Sequence, residues 1–215
     1  MLKIWGRRSS INVQKVLWLV GELNMPYEHI PIGGSLGGLD DPHFLAKNPH
    51  GHIPVIEDGD RVLWESHTIL RYLAARSPIS GFWSTDPWAR SRVDRWMDWS
   101  QTALQPDFIT GVFWGFYRTP DSLRNWPAIE ESIRNCDRHM SLLNDWLGEQ
   151  AYICGDNISL ADIAIGTLLY RYFLVEVPRP PLPKVERWYS RLCNREPYQK
   201  GVMIPFEELH GRLDF

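Results

Sequence analysis

The stretch from Asn48 to Ile69 reads NPHGHIPVIEDGDRVLWESHTI and decides the fold of the first third of the chain. Two apolar runs, Ile53 to Ile56 and Val62 to Trp64, flank an Asp58-Gly59 pair of the kind that makes tight turns between strands. This pattern predicts an antiparallel hairpin. Ser66 then stands where the N-cap of a helix belongs, so a helix is predicted directly after the hairpin.

Upstream of the hairpin, strand and helix patterns alternate. Leu2 to Trp5 is predicted as a strand, Asn12 to Leu23 as a helix and Tyr27 to Ile32 as a second strand, which we expect to pair in parallel with the first. Asp41-Pro42 marks the start of a short helix that ends near Asn48. The order β-α-β-α-β-β-α predicts a four-stranded mixed sheet with helices packed against it, which is the thioredoxin-like arrangement.

The rest of the chain has helical periodicity. A Pro/Ser/Gly-rich connector predicts a domain boundary, and we expect a first domain at 1–77, a linker at 78–86 and an all-helical bundle domain at 87–215. Asp86-Pro87 opens a long helix that Pro106 should bend.

Three further helices are predicted beyond this bend. The first carries an apolar stripe from Ile129 to Leu147 and is closed by Gly148. The next opens with a capping box, Ser159 to Asp162. The last one runs through Val185 to Leu192.

Composition excludes several classes of protein. The 215 residues are 44% hydrophobic with a net charge of -3, so a nucleic-acid partner is not expected. No apolar run is long enough to span a membrane and no secretory leader is recognisable, so we expect a cytoplasmic protein without a membrane partner. Cys136, Cys154 and Cys193 form no Cys-x-x-Cys pair, so they are predicted to be reduced and no metal site is expected.

Four segments together resemble glutathione transferases of the theta-like and phi-like serine type. They are Ser10 to Val16, Asn48 to Val55, Trp64 to Ile69, and Ile158 to Asp162. The resemblance covers nearly the whole chain. It implies an enzyme that takes glutathione as co-substrate and uses it against a small hydrophobic electrophile or a peroxide. The chain departs from the pattern at His52, where many relatives have Gln.

Ser10 is the catalytic candidate. The chemistry requires the glutathione thiol as a thiolate, because a free thiol with a pKa of about 8.5 is mostly protonated at neutral pH. A hydroxyl that donates a hydrogen bond at a helix N-terminus would stabilise that anion. Spacing favours Ser10 without excluding Ser9, and Asn12 is open to the same role. The alternative is that Ser10 is an ordinary N-cap.

The resemblance also implies roles along the bound tripeptide. Glu65 would pair with the ligand ammonium and Ser66 would hold the γ-glutamyl carboxylate. A cis bond before Pro54 would leave the backbone of Ile53 to pair with the cysteinyl part. Lys47 is a candidate for the glycyl carboxylate, and His52 for a further contact. The alternatives are a helix cap and solvated surface side chains.

The electrophile pocket is expected from Arg7 and from aromatic residues of the long helix, namely Phe108, Phe113, Trp114 and Tyr117. Aromatic stripes are also typical of an ordinary core.

The resemblance further implies a two-fold homodimer. Its surface would come from the first helix of the second domain, through Trp88, Arg92, Arg95, Trp96 and Trp99.

Two other functions stay open on the same fold. One is a glutathione-dependent isomerase or peroxidase, in which the thiol is a cofactor. Whether turnover consumes glutathione distinguishes this function from transfer. The other is a protein that binds glutathione or an apolar ligand without chemistry. A dithiol redox enzyme is disfavoured, because the loop at Arg7 to Ser10 has no cysteine.

Overall fold

A computed structural model describes residues 1–79 and 81–213, and the chain divides into two compact units. The first unit contains Met1–Trp83 and Arg195–Ile204. The second unit contains Ser84–Asn194 and resumes at Pro205. The segment 195–204, which the sequence placed in the helical domain, is therefore part of the first unit. Residue 80 of the predicted linker and the last two residues of the predicted helical domain lie outside the described residues.

The first unit has the predicted order of elements. Its strands are β1 (Leu2–Trp5), β2 (Tyr27–Ile30), β3 (Val55–Asp58) and β4 (Arg61–Trp64), and its helices are α1 (Ile11–Glu22), α2 (Pro42–Leu45) and α3 (Ser66–Arg76). The sheet order is β2-β1-β3-β4, with β1 parallel to β2 and antiparallel to β3. The thioredoxin-like arrangement and the hairpin are confirmed.

An apolar core between the sheet and its helices fixes the position of α1. Ile4 and Ile56 are register partners on adjacent strands, and both are fully buried. Val13, Val16 and Val20 of α1 are buried as well, which follows from their helical spacing. The N-terminus of α1 is thereby held at the carboxyl end of β1.

A helix that the sequence pattern did not predict, α8 (Glu196–Gly201), packs against α1 in the same unit. The Trp18 and Tyr198 rings meet edge to face with centroids 4.7 Å apart. The Arg195 guanidinium donates to both carboxylate oxygens of Glu22, each at 2.6 Å. This bidentate pair anchors the segment to α1.

The second unit is helical over its described residues. Its helices are α4 (Pro87–Trp99), α5 (Trp126–Leu147), α6 (Leu160–Leu174) and α7 (Pro183–Cys193). Asp86 caps α4 as predicted, because its carboxylate accepts from the Ala89 N–H at 2.7 Å. Beyond α4 the helix continues with wider π-type turns over Ser100–Leu104 and Pro106–Arg118. Pro106, where a bend was predicted, is the first residue of the second of these π-type segments. Across residues 1–79 and 81–213, no helix has the length and apolar character that a membrane crossing requires.

The predicted capping box of α6 is present and buried. Asp162 accepts from Ser159 N–H at 2.9 Å and Ser159 Oγ at 2.8 Å, and from Ile153 N–H at 3.0 Å and Trp188 Nε1 at 3.1 Å. Burial raises the pKa of Asp162 to about 6, although these four donors favour its ionised form. The carboxylate ties α6 to α7.

The surface predicted for α4 is only partly exposed. Trp88 is 73% exposed, whereas Trp96 is 6% exposed and packs against Trp99 and Trp146. Trp96 is therefore corrected from a surface residue to a core residue of the second unit.

Candidate functional site

A cavity of about 320 Å³ opens in the first unit where α1, α3 and the segment before β3 converge. Its lining consists of Asn12, Asn48, His50, His52, Ile53, Pro54, Glu65 and Ser66. The structure thus brings together six of the eight residues predicted to bind glutathione. Over the described residues, this lining includes neither Ser10 nor Lys47.

Ser10 is the N-cap residue of α1, with extended backbone angles, and its carbonyl accepts the N–H of Gln14 at 2.9 Å. Within the part of the chain described, the Ser10 hydroxyl makes no capping bond to the first helical turn. Ser10 therefore occupies the N-cap position, as the alternative interpretation held, but its side chain does not cap the helix. Ser9 is buried, whereas Ser10 is half-buried.

The segment before β3 forms one wall of the cavity. The Ile53-Pro54 bond is cis, as the resemblance implied. Asn48 is buried beneath this wall: its Nδ2 donates to the His52 carbonyl at 2.8 Å, and its Oδ1 accepts from the His50 N–H at 3.1 Å. Asn48 therefore fixes the path of the chain from α2 to β3.

Glu65 and Ser66 form the opposite side of the cavity at the start of α3. The predicted N-cap was Ser66, but the N-cap is Glu65 and Ser66 is the first helical residue. Glu65 has φ 70° and ψ 113°, which is a strained conformation for a residue with a side chain. This backbone conformation turns the chain from β4 into α3, so that the N–H groups of the first helical turn lie at the cavity.

Lys47 lies in a different environment from the one predicted. Its ammonium donates to Glu57 at 3.1 Å and lies 5.3 Å from the centre of the Trp5 ring. Burial opposes ionisation of Glu57, but the bonds from Lys47 and from Trp5 Nε1 hold the pKa of this carboxyl below its ordinary value. Lys47 therefore has a structural partner.

Two lining residues, Asn48 and His50, were missed by sequence reasoning. His50 is exposed, and its ring meets Trp64 edge to face at 5.1 Å. The signal was available, because His50 and His52 flank Gly51 in the same motif. The cavity therefore carries two imidazoles that can donate hydrogen bonds to an anion.

The residues predicted for the electrophile lie in different settings. Arg7 is half-buried in the loop before α1, and its carbonyl accepts the Ser10 N–H at 3.1 Å. Phe108 is 1% exposed and packs against Tyr172, so it is a core residue. Trp114 is 36% exposed, with the Arg118 guanidinium 3.7 Å from its ring centre.

Tyr117 and Phe113 belong to an aromatic cluster inside the second unit. Their rings are stacked at 5.3 Å, and Tyr117 also meets Phe206 at 5.2 Å and His210 at 5.0 Å. Phe206 and His210 were not predicted from the sequence. Within residues 1–79 and 81–213, no group of three His, Cys, Asp or Glu side chains is arranged to hold a metal ion.

The chain belongs to the glutathione S-transferase family. Residues 5–81 match the family model of the glutathione S-transferase N-terminal domain, and residues 106–196 match that of the C-terminal domain.

Among curated proteins, the chain is 39% identical to glutathione S-transferase GstB of Escherichia coli, over 95% of this chain and 99% of that one. It is 29% identical to glutathione S-transferase 3 of Zea mays, over 94% and 93%. The crystal structure of the theta class glutathione S-transferase from Xanthomonas axonopodis pv. citri, with glutathione bound, superposes with a TM-score of 0.89 at 38% identity. That match covers 95% of this chain and 98% of the other.

Proposed function

We propose that this protein is a glutathione S-transferase that binds glutathione in the cavity of its first unit and stabilises the thiol as a thiolate. The observation that carries the proposal is the convergence of three separate segments, Asn12, the cis Ile53-Pro54 wall and Glu65-Ser66, on one cavity. The transferase names of the relatives and the bound glutathione in the Xanthomonas structure agree with it.

Glutathione binding is supported by the polarity of the cavity. The Glu65 carboxylate suits the ligand ammonium, and the first N–H groups of α3, beginning with that of Ser66, suit a carboxylate. At the opposite wall, the backbone of Ile53 is available for main-chain pairing with the cysteinyl part of the ligand. His50 and His52 are better placed than Lys47 for the remaining carboxylate, because Lys47 is paired with Glu57.

Thiolate stabilisation is proposed for the N-terminus of α1. The Ser10 hydroxyl makes no capping bond there, and Asn12 lines the cavity two residues further on. Donation from Ser10, together with the N–H groups of the first turn, lowers the free energy of the anion relative to the thiol. The thiolate then forms a bond to an electrophilic carbon as the carbon's bond to its leaving group breaks, or to an oxygen of a peroxide as the O–O bond breaks.

The second substrate, the oligomeric state and the location are proposed as well. We infer a small hydrophobic electrophile, supported by the aromatic cluster of the second unit. We also infer a homodimer that uses the α4 surface, supported by the exposed Trp88. We infer a cytoplasmic location, supported by the reduced state of Cys136, Cys154 and Cys193.

The test is the ultraviolet absorbance of the bound thiolate against pH, for the wild type, Ser10→Ala and Ser9→Ala. We expect the thiol of bound glutathione to titrate at least one unit below its free pKa of about 8.5, and Ser10→Ala to remove most of that shift. Ser9→Ala is the matched control and should keep the shift. Binding without any shift in the wild type would reject thiolate activation and indicate a carrier. Glutathione consumed per turnover then distinguishes transfer from isomerisation.

A further inference from the structure

A buried lysine lies directly behind the cavity. Lys15 follows Asn12 by one helical turn on α1 and is 1% exposed. Its Nζ lies 3.0 Å from Asn12 Oδ1 and 3.2 Å from Nε2 of His67, a buried residue of α3. An amine so deeply buried is uncommon, because removing its charge from water is unfavourable unless the charge is paired.

The chemistry of the donors fixes the orientation of the Asn12 amide. An ammonium can only donate, so the Asn12 atom that faces it must be the carbonyl oxygen. The Ser66 hydroxyl lies 3.3 Å from the same oxygen and donates to it. The Nδ2 group is therefore the end of the amide that remains to donate to a ligand, and Asn12 lines the cavity.

The orientation of His67 follows in the same way. Its Nε2 must accept from Lys15, so its proton resides on Nδ1, which has no hydrogen-bond partner among the described residues. Burial, and then the charges of Lys15 and Arg71, lower the pKa of His67 to about 2. His67 is thus neutral and serves Lys15 only as an acceptor.

The charged groups that act on Lys15 and His67 from outside this pair belong to α3. Glu65, at the start of α3, is the carboxylate whose charge favours the ammonium, while Arg71 lies further along the same helix. On the α8 side, Arg195 and Glu22 are paired with each other. Burial lowers the pKa of Lys15 to about 7, against the opposing charge of Glu65.

We propose that Lys15 is a positioning residue for glutathione: its ammonium turns the Asn12 amide so that Nδ2 donates into the cavity, and glutathione binding is coupled to uptake of a proton by Lys15. The proposal rests on the proposed function. A neutral amine can also accept a hydrogen bond, so loss of the proton lets the Asn12 amide turn over. The ammonium also attracts a ligand with two carboxylates and one ammonium, so the ligand and the proton favour each other's binding.

The experiment is isothermal titration calorimetry with S-methylglutathione, whose blocked thiol cannot release a proton. Titrations in phosphate and in Tris give the protons taken up, because the two buffers have different ionisation enthalpies. If protonation of Lys15 strengthens binding tenfold, we expect an uptake of about 0.4 proton near neutral pH. Lys15→Met should abolish this uptake. It should also weaken binding about tenfold below pH 7 and scarcely at all above about pH 9.

Control variants separate Lys15 from other groups. His50 and His52 line the cavity, so the double variant His50→Gln/His52→Gln must keep the part of the uptake that Lys15→Met removes. Lys200→Met replaces an exposed lysine that is paired with Glu196 in α8, and it should behave as the wild type.

A second measurement requires no variant to fold. The ¹³Cε chemical shift of Lys15, followed against pH in the wild type, should titrate about one unit higher with S-methylglutathione bound. Three results would overturn the proposal while glutathione binding stands. They are no proton uptake on binding, an uptake that Lys15→Met leaves unchanged, and a Lys15 titration that does not shift with S-methylglutathione. If S-methylglutathione does not bind at any pH, the proposed function itself is rejected.

Discussion

The side chain of Lys15 makes stability depend on pH in a predictable direction. Its pKa is about 7 in the folded protein and 10.5 ordinarily, so between these values the unfolded chain binds more protons. The free energy of unfolding contributed by Lys15 therefore rises with pH across that window, and its burial is least favourable below pH 7. Lys15→Met should stabilise the protein more at about pH 7.5 than at about pH 9.5, by roughly 2 kcal/mol.

Urea unfolding of both proteins at the two pH values measures this difference. His67 does not interfere, because its titration in either state lies below the window. An equal effect of Lys15→Met at both pH values would show that Lys15 has an ordinary pKa in the folded state.

Asp162 supports the second unit through four accepted hydrogen bonds. Asp162→Asn replaces one of the two carboxylate oxygens by an NH₂ group. The buried donors that this oxygen accepted from then lose their acceptor. We expect a loss of about 3 kcal/mol in the free energy of unfolding, measured by urea denaturation. Ser159→Ala, which removes one donor and leaves the carboxylate in place, should lower it by only about 1 kcal/mol. Equal losses would contradict the central role of the carboxylate.

At the scale of single residues, the sequence predicted which side chains line the cavity better than it predicted which residues pair with each other. Glu65, Ser66 and Pro54 reach the cavity because their places in the motif are set by local chain geometry. Lys47 does not, because its partner Glu57 comes from β3, and a contact across ten residues is not visible in a pattern. Lys15 has the same explanation: its burial depends on α3, and on α1 alone it reads as a polar helix residue.

Among the elements, the π-type segment Pro106–Arg118 packs closely against α5. A Cβ on Gly111 would lie 2.1 Å from Ser132 Oγ and 2.4 Å from its Cβ, whereas a Cβ on Gly115 would lie 3.4 Å from Ile129 and no nearer. Gly111→Ala should therefore separate the helices and reduce the unfolding free energy by about 2 kcal/mol. Gly115→Ala, one helical turn away, is the matched control and should be neutral or stabilising by up to about 1 kcal/mol.

Thermal unfolding of both glycine variants checks this prediction. Ser132→Gly removes the atoms in conflict, so the double variant with Gly111→Ala should lose less stability than the sum of the two single changes. Additive losses would show that the contact does not limit the approach of the helices.

Element types followed from the sequence where local signals dominate, as at the Asp86-Pro87 start of α4 and the Ser159 capping box. The π-type turns after Ser100 did not, because their apolar spacing resembles that of an α-helix. Helix α8 was missed for another reason: its six residues are too short to show periodicity, and it is stabilised by packing on α1.

For the whole molecule, the order of the chain and the division into units do not coincide. The first unit is completed by residues 195–204, from near the end of the sequence. A boundary placed where proline, serine and glycine accumulate identifies the first crossing between the units, but it gives no information about a later return. The first unit therefore includes a contact between residues more than 170 positions apart, that of Glu22 with Arg195.

Gly201 allows α8 to pack closely on α1. A Cβ there would lie 2.8 Å from the Trp18 nitrogen and 2.9 Å from its Cα, and backbone atoms inside α1 cannot move aside. We expect Gly201→Ala to lift α8 from α1 and to lower the unfolding free energy by about 3 kcal/mol. Glu196→Ala, which removes only an exposed ion pair of the same helix, should leave it nearly unchanged. Trypsin cleavage after Arg195 reports the local effect, since a detached α8 exposes that bond. If Gly201→Ala is cleaved no faster than the wild type, the segment is not held by its contact with Trp18.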